Sequence, residues 1–312
     1  MDIKTDVEQN FVSFIREAKG LGKGIMLAPY SEIIFAGMGG SGIAGDVLKI
    51  FIKDLPFSVV HDYTLPAHAG MKTLVFVSTY SGNTEEMISV YNEALKKRCQ
   101  IVVITSGEKM RERCRKDKVP YIKIPSGIQP RATLPYLIIP VLNLIDFKDW
   151  DLNKLVDAVS GAGIREKAKE LAEKLVDKIP LIYSSHVLYP VAYRWKTQFN
   201  ENTKIHAFSN EFPELNHNEL EAYENIKGSY YVIIIRDESD SLKIKERMDF
   251  TKGLIMKKGV SVTEIAISGK NRFNKVMTEI YLGDLVSIYL AELYGVDPTP
   301  VALIEQFKKQ LR

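Results

Sequence analysis

Glu32-Ile33-Ile34-Phe35-Ala36-Gly37-Met38-Gly39-Gly40-Ser41-Gly42 is the stretch that decides the fold. Apart from Glu32 it opens as a short apolar run, the pattern of a strand buried on both faces. It ends in G-x-G-x-x-G, and a helical pattern resumes over Gly42 to Ile52. Glycines at a strand-to-helix turn let the backbone approach a phosphate, whose charge meets free N–H groups at the helix N-terminus. Asp62 stands twenty residues beyond Gly42, at the end of a second strand predicted over Ser58 to His61. Alone, this is a complete dinucleotide fingerprint, and an NAD-dependent oxidoreductase is one reading of it. Ser41 adds a hydroxyl that a dinucleotide loop does not need.

The same alternation extends outward from this turn. Residues 4–19 read as helix. Thr73 to Val77 reads as a third strand, followed by a polar loop and a helix from Thr84 to Lys97. Ile101 to Ile104 and Tyr121 to Ile124 are further strands, and Leu134 to Asp146 closes the unit as a helix. Apolar strands alternating with helices predict a parallel sheet covered on both faces. A long charged helix is predicted over Asp151 to Lys178, so the domain boundary is placed near residue 150. Strands at Leu181 to Ser184, Tyr230 to Ile235 and Val260 to Ile267 then alternate with helices at Tyr189 to Phe199, Ser241 to Lys257, Asn274 to Tyr294 and Val301 to Leu311. The expectation is an α/β protein of two doubly wound parallel-sheet domains, 1–150 and 151–312.

Composition narrows the class. The 312 residues are 46% hydrophobic and 26% charged, a globular balance. A net charge of +3 offers no footprint for a nucleic-acid partner. No apolar run reaches the roughly 18–20 residues of a membrane span, and the charged N-terminus has no signal-peptide core. Two cysteines, Cys99 and Cys114, exclude a disulfide scaffold and suit a reducing cytosol. The five histidines form no metal-ligand spacing, so no metal site is expected. The charged segment 108–118 mixes both signs and reads as a solvated helix face.

Three further regions could carry chemistry. Thr79-Tyr80-Ser81-Gly82-Asn83-Thr84-Glu85-Glu86 follows the third strand. A helix-capping box fits this string, but a cap uses one hydroxyl, and Thr79, Ser81 and Thr84 supply three. Hydroxyls and backbone N–H groups at a helix start can saturate a terminal phosphate. Loops of this kind at the ends of neighbouring strands form the crevice where open α/β sheets bind ligands. A small phosphorylated ligand held end-on is therefore expected. Arg131, in Gln129-Pro130-Arg131-Ala132-Thr133, is a lone cation entering an apolar helix. It reads either as a surface salt bridge or as a crevice cation for a developing oxyanion. Lastly, Asn, Glu and one His crowd into Phe199–Thr203 and Asn210–Glu219. Carboxylate and imidazole are general acid–base groups, which makes Glu201 and His217 a candidate pair.

At these regions the sequence resembles the sugar isomerase (SIS) fold and, within it, the bifunctional phosphoglucose/phosphomannose isomerases. The matching strings are GMGGSGIAGD at 37–46, STYSGNTEE at 78–86, PRATLPY at 130–136, NEN at 200–202, NEFPELNHNE at 210–219 and GVDPTPV at 295–301. The resemblance implies an enzyme interconverting glucose 6-phosphate and mannose 6-phosphate with fructose 6-phosphate, without metal or redox cofactor. It implies that Gly39, Gly40, Ser41, Thr79, Ser81 and Thr84 hold the sugar phosphate; position 79 is often serine in the family. Arg131 is implied as the cation over the enediolate, Glu201 as the base between C1 and C2, and His217 as the ring-opening catalyst. That histidine is implied to come from the neighbouring subunit of a homodimer. Lys308 resembles the family's C-terminal lysine near the ring oxygen, and Thr299 is implied in mannose handling. A sugar-phosphate sensor on the same fold is the non-catalytic alternative.

Overall fold

The computed structural model describes residues 2–267 and 271–310, divided into two compact units, Met1–Leu152 and Asn153–Arg312. In the first, α1 (Ile3–Glu8) and α2 (Phe11–Ala18) precede β1 (Glu32–Gly37), α3 (Gly42–Lys49), β2 (Phe57–Val60) and β3 (Thr73–Ser78). Then follow α4 (Glu85–Lys96), β4 (Gln100–Thr105), α5 (Glu108–Asp117), β5 (Tyr121–Lys123) and α6 (Leu134–Leu144). The sheet order is β2-β1-β3-β4-β5 and every pairing is parallel. The chain winds to one side of β1 and then restarts on the other at β3. That reversal puts the topological switch point between β1 and β3.

The apolar strands are explained by burial on both faces. Ile34, Val75, Val77, Ile101 and Val103 join Met87, Val90 and Tyr91 of α4 and Met110 and Cys114 of α5 in one core. On the opposite face α3 lies so close to Phe35 that a Cβ on Gly45 would meet its ring at 2.6 Å. In α5 only Met110 and Cys114 are buried, while Glu108 pairs with Arg111 and Arg115.

The second unit holds α7 (Leu152–Ser160, beginning at the boundary), α8 (Ala162–Lys174), β6 (Ile179–Ser185), α9 (Tyr189–Gln198) and β7 (Phe208–Phe212). It continues through β8 (Tyr230–Asp237), α10 (Leu242–Lys257), β9 (Ser261–Ile267), α11 (Arg272–Leu293) and α12 (Ala302–Gln310). The order β7-β6-β8-β9 is again all parallel. Tyr183, Phe212, Val232 and Ile234 pack with Met248 and Ile255 of α10. Nearly every residue of α11 from Phe273 to Ala291 is buried.

Two expectations need correction. The helix expected over Asp151 to Lys178 is two helices, broken where Gly161 takes an extended backbone and becomes the N-cap of α8. Gly costs a helix interior about 1 kcal/mol relative to Ala, which favours the break there. The strand β7 was not expected. Its sequence, Phe-Ser-Asn-Glu-Phe, has three polar residues of five, and it pairs on one side only, with β6. The helix expected to reach Leu311 is described to Gln310, and Leu311 lies outside the described residues.

Candidate active site

The loops after β1 and β3 leave the carboxyl edge of the first sheet on adjacent strands, at its switch point. In the first loop Gly39 has φ +52°, a left-handed conformation that disfavours side chains. Gly42 is needed for space: a Cβ there would lie 2.5 Å from the Gly37 carbonyl oxygen and 2.6 Å from His61 Nδ1. His61 props this turn. Its Nδ1 is 2.9 Å from the Gly37 carbonyl and its Nε2 is 3.0 Å from Asp46 Oδ2. The hydrogen bond to Asp46 raises the imidazole pKa above its ordinary value, against the opposing effect of burial. Gly40 lies against the next region of the site, since its Cβ would come within 3.2 Å of Arg131 Cα and 3.3 Å of the Pro130 carbonyl oxygen. Ser41 is buried, and its side chain does not cap α3.

In the second loop Thr79 is buried and its Oγ1 donates to Thr84 Oγ1 at 3.1 Å. Thr84 occupies the N-cap of α4 without making a side-chain capping bond. The capping-box reading is therefore replaced by a hydroxyl pair facing the helix start. Ser81 is exposed, and its Oγ accepts the Asn83 N–H at 3.3 Å. The Tyr80 hydroxyl accepts the Ile128 N–H at 2.9 Å, which ties this loop to the segment that carries Arg131. Arg131 is 3% exposed, so the surface salt-bridge reading does not hold. Its Nη1 donates to Gln129 Oε1 at 3.2 Å, and the Gln129 N–H donates to the buried Asp6 at 3.1 Å. Glycine turn, hydroxyl loop and buried guanidinium thus belong to one neighbourhood. Asp62 is exposed and accepts the N–H of its own neighbour Tyr63 at 2.6 Å.

In the second unit, Glu201 is half-buried in a π turn, Phe199–Thr203, that extends α9 toward the amino edge of the sheet. Such turns inside helices occur frequently at functional sites. Lys204, with φ +61°, donates to the Glu201 carbonyl and also to the carbonyls of Pro298 at 3.3 Å and Pro300 at 2.6 Å. Thr299, whose N–H donates to Asp297 Oδ1 at 2.8 Å, is thereby brought beside the Glu201 segment. His217 is exposed and lies in a 3-10 turn, Glu214–His217, after the carboxyl end of β7. Next to it Glu219 accepts from Tyr183 Oη at 2.5 Å and from Asn210 Nδ2 at 2.5 Å. Burial raises the Tyr183 phenol pKa and keeps its proton available for that bond. Lys308 is exposed on α12, of which no residue is buried.

Glu201 and His217, a candidate pair in the sequence, lie on either side of β7 in the chain. β7 runs between them, so they stand at opposite edges of the same sheet, and a five-residue strand alone spans about 15 Å. Sequence reasoning also missed His61, Tyr80 and Lys204. The position of Tyr80 inside the hydroxyl loop was an available signal. Nothing in the sequence marked Lys204 or His61, whose partners are distant or carbonyl oxygens. Among the described residues no group of three or more His, Cys, Asp or Glu side chains could hold a metal, and no helix is long and apolar enough to cross a membrane.

Comparison with known proteins adds an independent line. Residues 164–311 match the family model described as the bacterial phospho-glucose isomerase C-terminal SIS domain. A bifunctional phosphoglucose/phosphomannose isomerase of Caldicellulosiruptor bescii is 41% identical, over 97% of this chain and 97% of that one. One from Aquifex aeolicus is 36% identical over 92% of each. Among solved structures, the C-terminal domain of glucosamine-fructose-6-phosphate aminotransferase from Francisella tularensis superposes with a TM-score of 0.73. It covers 96% of this chain and 98% of that one, at 13% identity, a likeness of fold.

Proposed function

The chain belongs to the bifunctional phosphoglucose/phosphomannose isomerases and is a sugar-phosphate isomerase, and from that premise we propose that it interconverts glucose 6-phosphate and mannose 6-phosphate with fructose 6-phosphate through an enediolate. The observation that carries this reading is the glycine turn and hydroxyl loop at one switch point, with the buried Arg131 against Gly40. Gly39, Gly40, Ser41, Thr79, Ser81 and Thr84 hold the phosphate. Ring opening takes a proton from O1 and delivers one to the ring oxygen; His217 serves this step, with Lys308 at the ring oxygen. Glu201 then removes the C2 proton of the open aldose. The charge passes to the enediolate oxygens, which Arg131 stabilises without losing its own proton. Glu201 returns the proton at C1 as the remaining hydroxyl proton moves from O2 to O1, and the ketose results. Glucose and mannose 6-phosphates differ only at C2, so one base serves both if the intermediate presents either face. The bonds of Lys204 to the carbonyls on either side of Thr299 support a role for Thr299 in that choice. No metal or redox cofactor takes part in this scheme.

The opposite-edge placement of Glu201 and His217 supports a homodimer in which His217 serves the site of the partner subunit. The free thiols of Cys99 and Cys114 suit a reducing cytoplasm. Incubating the protein with fructose 6-phosphate and assaying both aldoses tests the proposal. Glucose 6-phosphate and mannose 6-phosphate are both expected. Formation of only one removes dual specificity, and formation of neither by folded protein removes the isomerase assignment.

A further inference from the structure

We infer that one face of α11, through Asp284 and Ser287, is the positioning device for Glu201. The inference rests on the assignment of Glu201 as the proton-transfer base. Four residues of this face, at intervals of four, one and three, grip α9 and the π turn. The Glu279 carbonyl accepts Trp195 Nε1–H at 2.9 Å. Gly283 lets the indole in, since a Cβ there would meet Trp195 Nε1 at 2.3 Å. Asp284, 1% exposed, accepts from Arg194 Nη2 at 2.7 Å and from Gln198 Nε2 at 2.9 Å. Ser287, fully buried, donates its hydroxyl to the Asp284 carbonyl at 2.7 Å and accepts Asn202 Nδ2–H at 2.9 Å. The Ser287 carbonyl accepts Thr203 Oγ1–H at 2.8 Å.

The bonds fall on the residues just beyond Glu201 and on the helical turn before it. Asn202 and Thr203 are buried and fixed, whereas Glu201 between them and Asn200 remains half-exposed. A π turn adds a residue to the helical register, and without outside partners it would relax to an ordinary turn and rotate the residues within it. Buried hydrogen bonds from α11 hold the irregular register, because each would leave an unsatisfied polar group if the turn relaxed. The consequence is a carboxylate whose direction is set through the backbone of a turn that α11 holds. Proton transfer between adjacent carbons is sensitive to that direction, since a misplacement near 1 Å can cost about 100-fold in rate.

The test is Ser287→Ala, the mildest cut in this chain of bonds. Asp284→Asn strips the carboxylate from a buried arginine and is the variant at risk of not folding. For folded Ser287→Ala we expect kcat to fall about 10- to 100-fold, with KM within about threefold of the parent. The deuterium isotope effect from C2-labelled substrate is expected to rise, as proton transfer becomes more rate-limiting. Loss of packing alone would lower the melting temperature without moving the isotope effect. Parent-like kcat and isotope effect in folded Ser287→Ala would overturn the inference while leaving the Glu201 assignment intact. Glu201→Gln, assayed alongside, separates the two claims. If Glu201→Gln stays active while Ser287→Ala loses kcat, the base assignment and the positioning role fall together.

Discussion

Glu201→Gln is expected to lower kcat for both aldose products by about 10²- to 10⁴-fold, the usual contribution of a positioned acid–base group. Gln keeps the size and shape of Glu and removes only its capacity to take a proton. Glu201 is half-exposed, so no buried charge is left unpaired by the change. The buried anchors of its turn belong to Asn202 and Thr203 and are untouched. Sugar-phosphate binding is expected to persist, because the residues assigned to the phosphate lie in the first unit, after β1 and β3. Direct binding of fructose 6-phosphate to the variant by calorimetry, beside the turnover assay, separates the cases. Retained binding with lost turnover fits a base. Equal loss of both would make Glu201 a structural residue.

Mixing two inactive variants, Glu201→Gln and His217→Ala, is expected to restore activity after dissociation and reassociation. Each homodimer lacks one required group in both of its sites. In a mixed dimer one site receives both altered residues and the other receives intact Glu201 from one subunit with intact His217 from the other. Random reassociation makes half the dimers mixed, so about a quarter of the parent activity is expected from a two-fold symmetric exchange. If both residues served the same subunit's site, every site in the mixture would lack one group and no activity would return. The prediction rests on the proposed homodimer, which the placement of Glu201 and His217 on either side of β7 supports.

Much of the fold was legible because its signals are local and redundant. Strands such as Thr73–Ser78 and Tyr230–Asp237 are nearly continuous apolar runs, as strands covered on both faces must be. The glycine turn and the hydroxyl loop each stood out in the sequence through residue types that a plain turn does not need, and the fold puts them on adjacent strands. β7 was not legible: at an edge its burial is partial, so polar Ser209, Asn210 and Glu211 fit it without cost. Glu201 and His217 are only sixteen positions apart, and nothing in the sequence marked the strand that lies between them. The burial of Arg131 was also hidden, because an arginine before an apolar helix reads the same whether it faces water or a pocket. The π turn leaves no composition signature. Its partner Ser287 is more than eighty residues away and sits inside a helix that looks merely apolar.

Proton exchange tests the central claim most directly. Fructose 6-phosphate is incubated with the protein in D2O, with a metal chelator present and no nicotinamide added, and the products are read by NMR. Deuterium at C2 of both glucose 6-phosphate and mannose 6-phosphate is predicted, since Glu201 is half-exposed and the proton it carries exchanges with solvent in a share of turnovers before it is returned. Both aldoses formed without any deuterium, or no turnover by folded protein, would contradict the enediolate account.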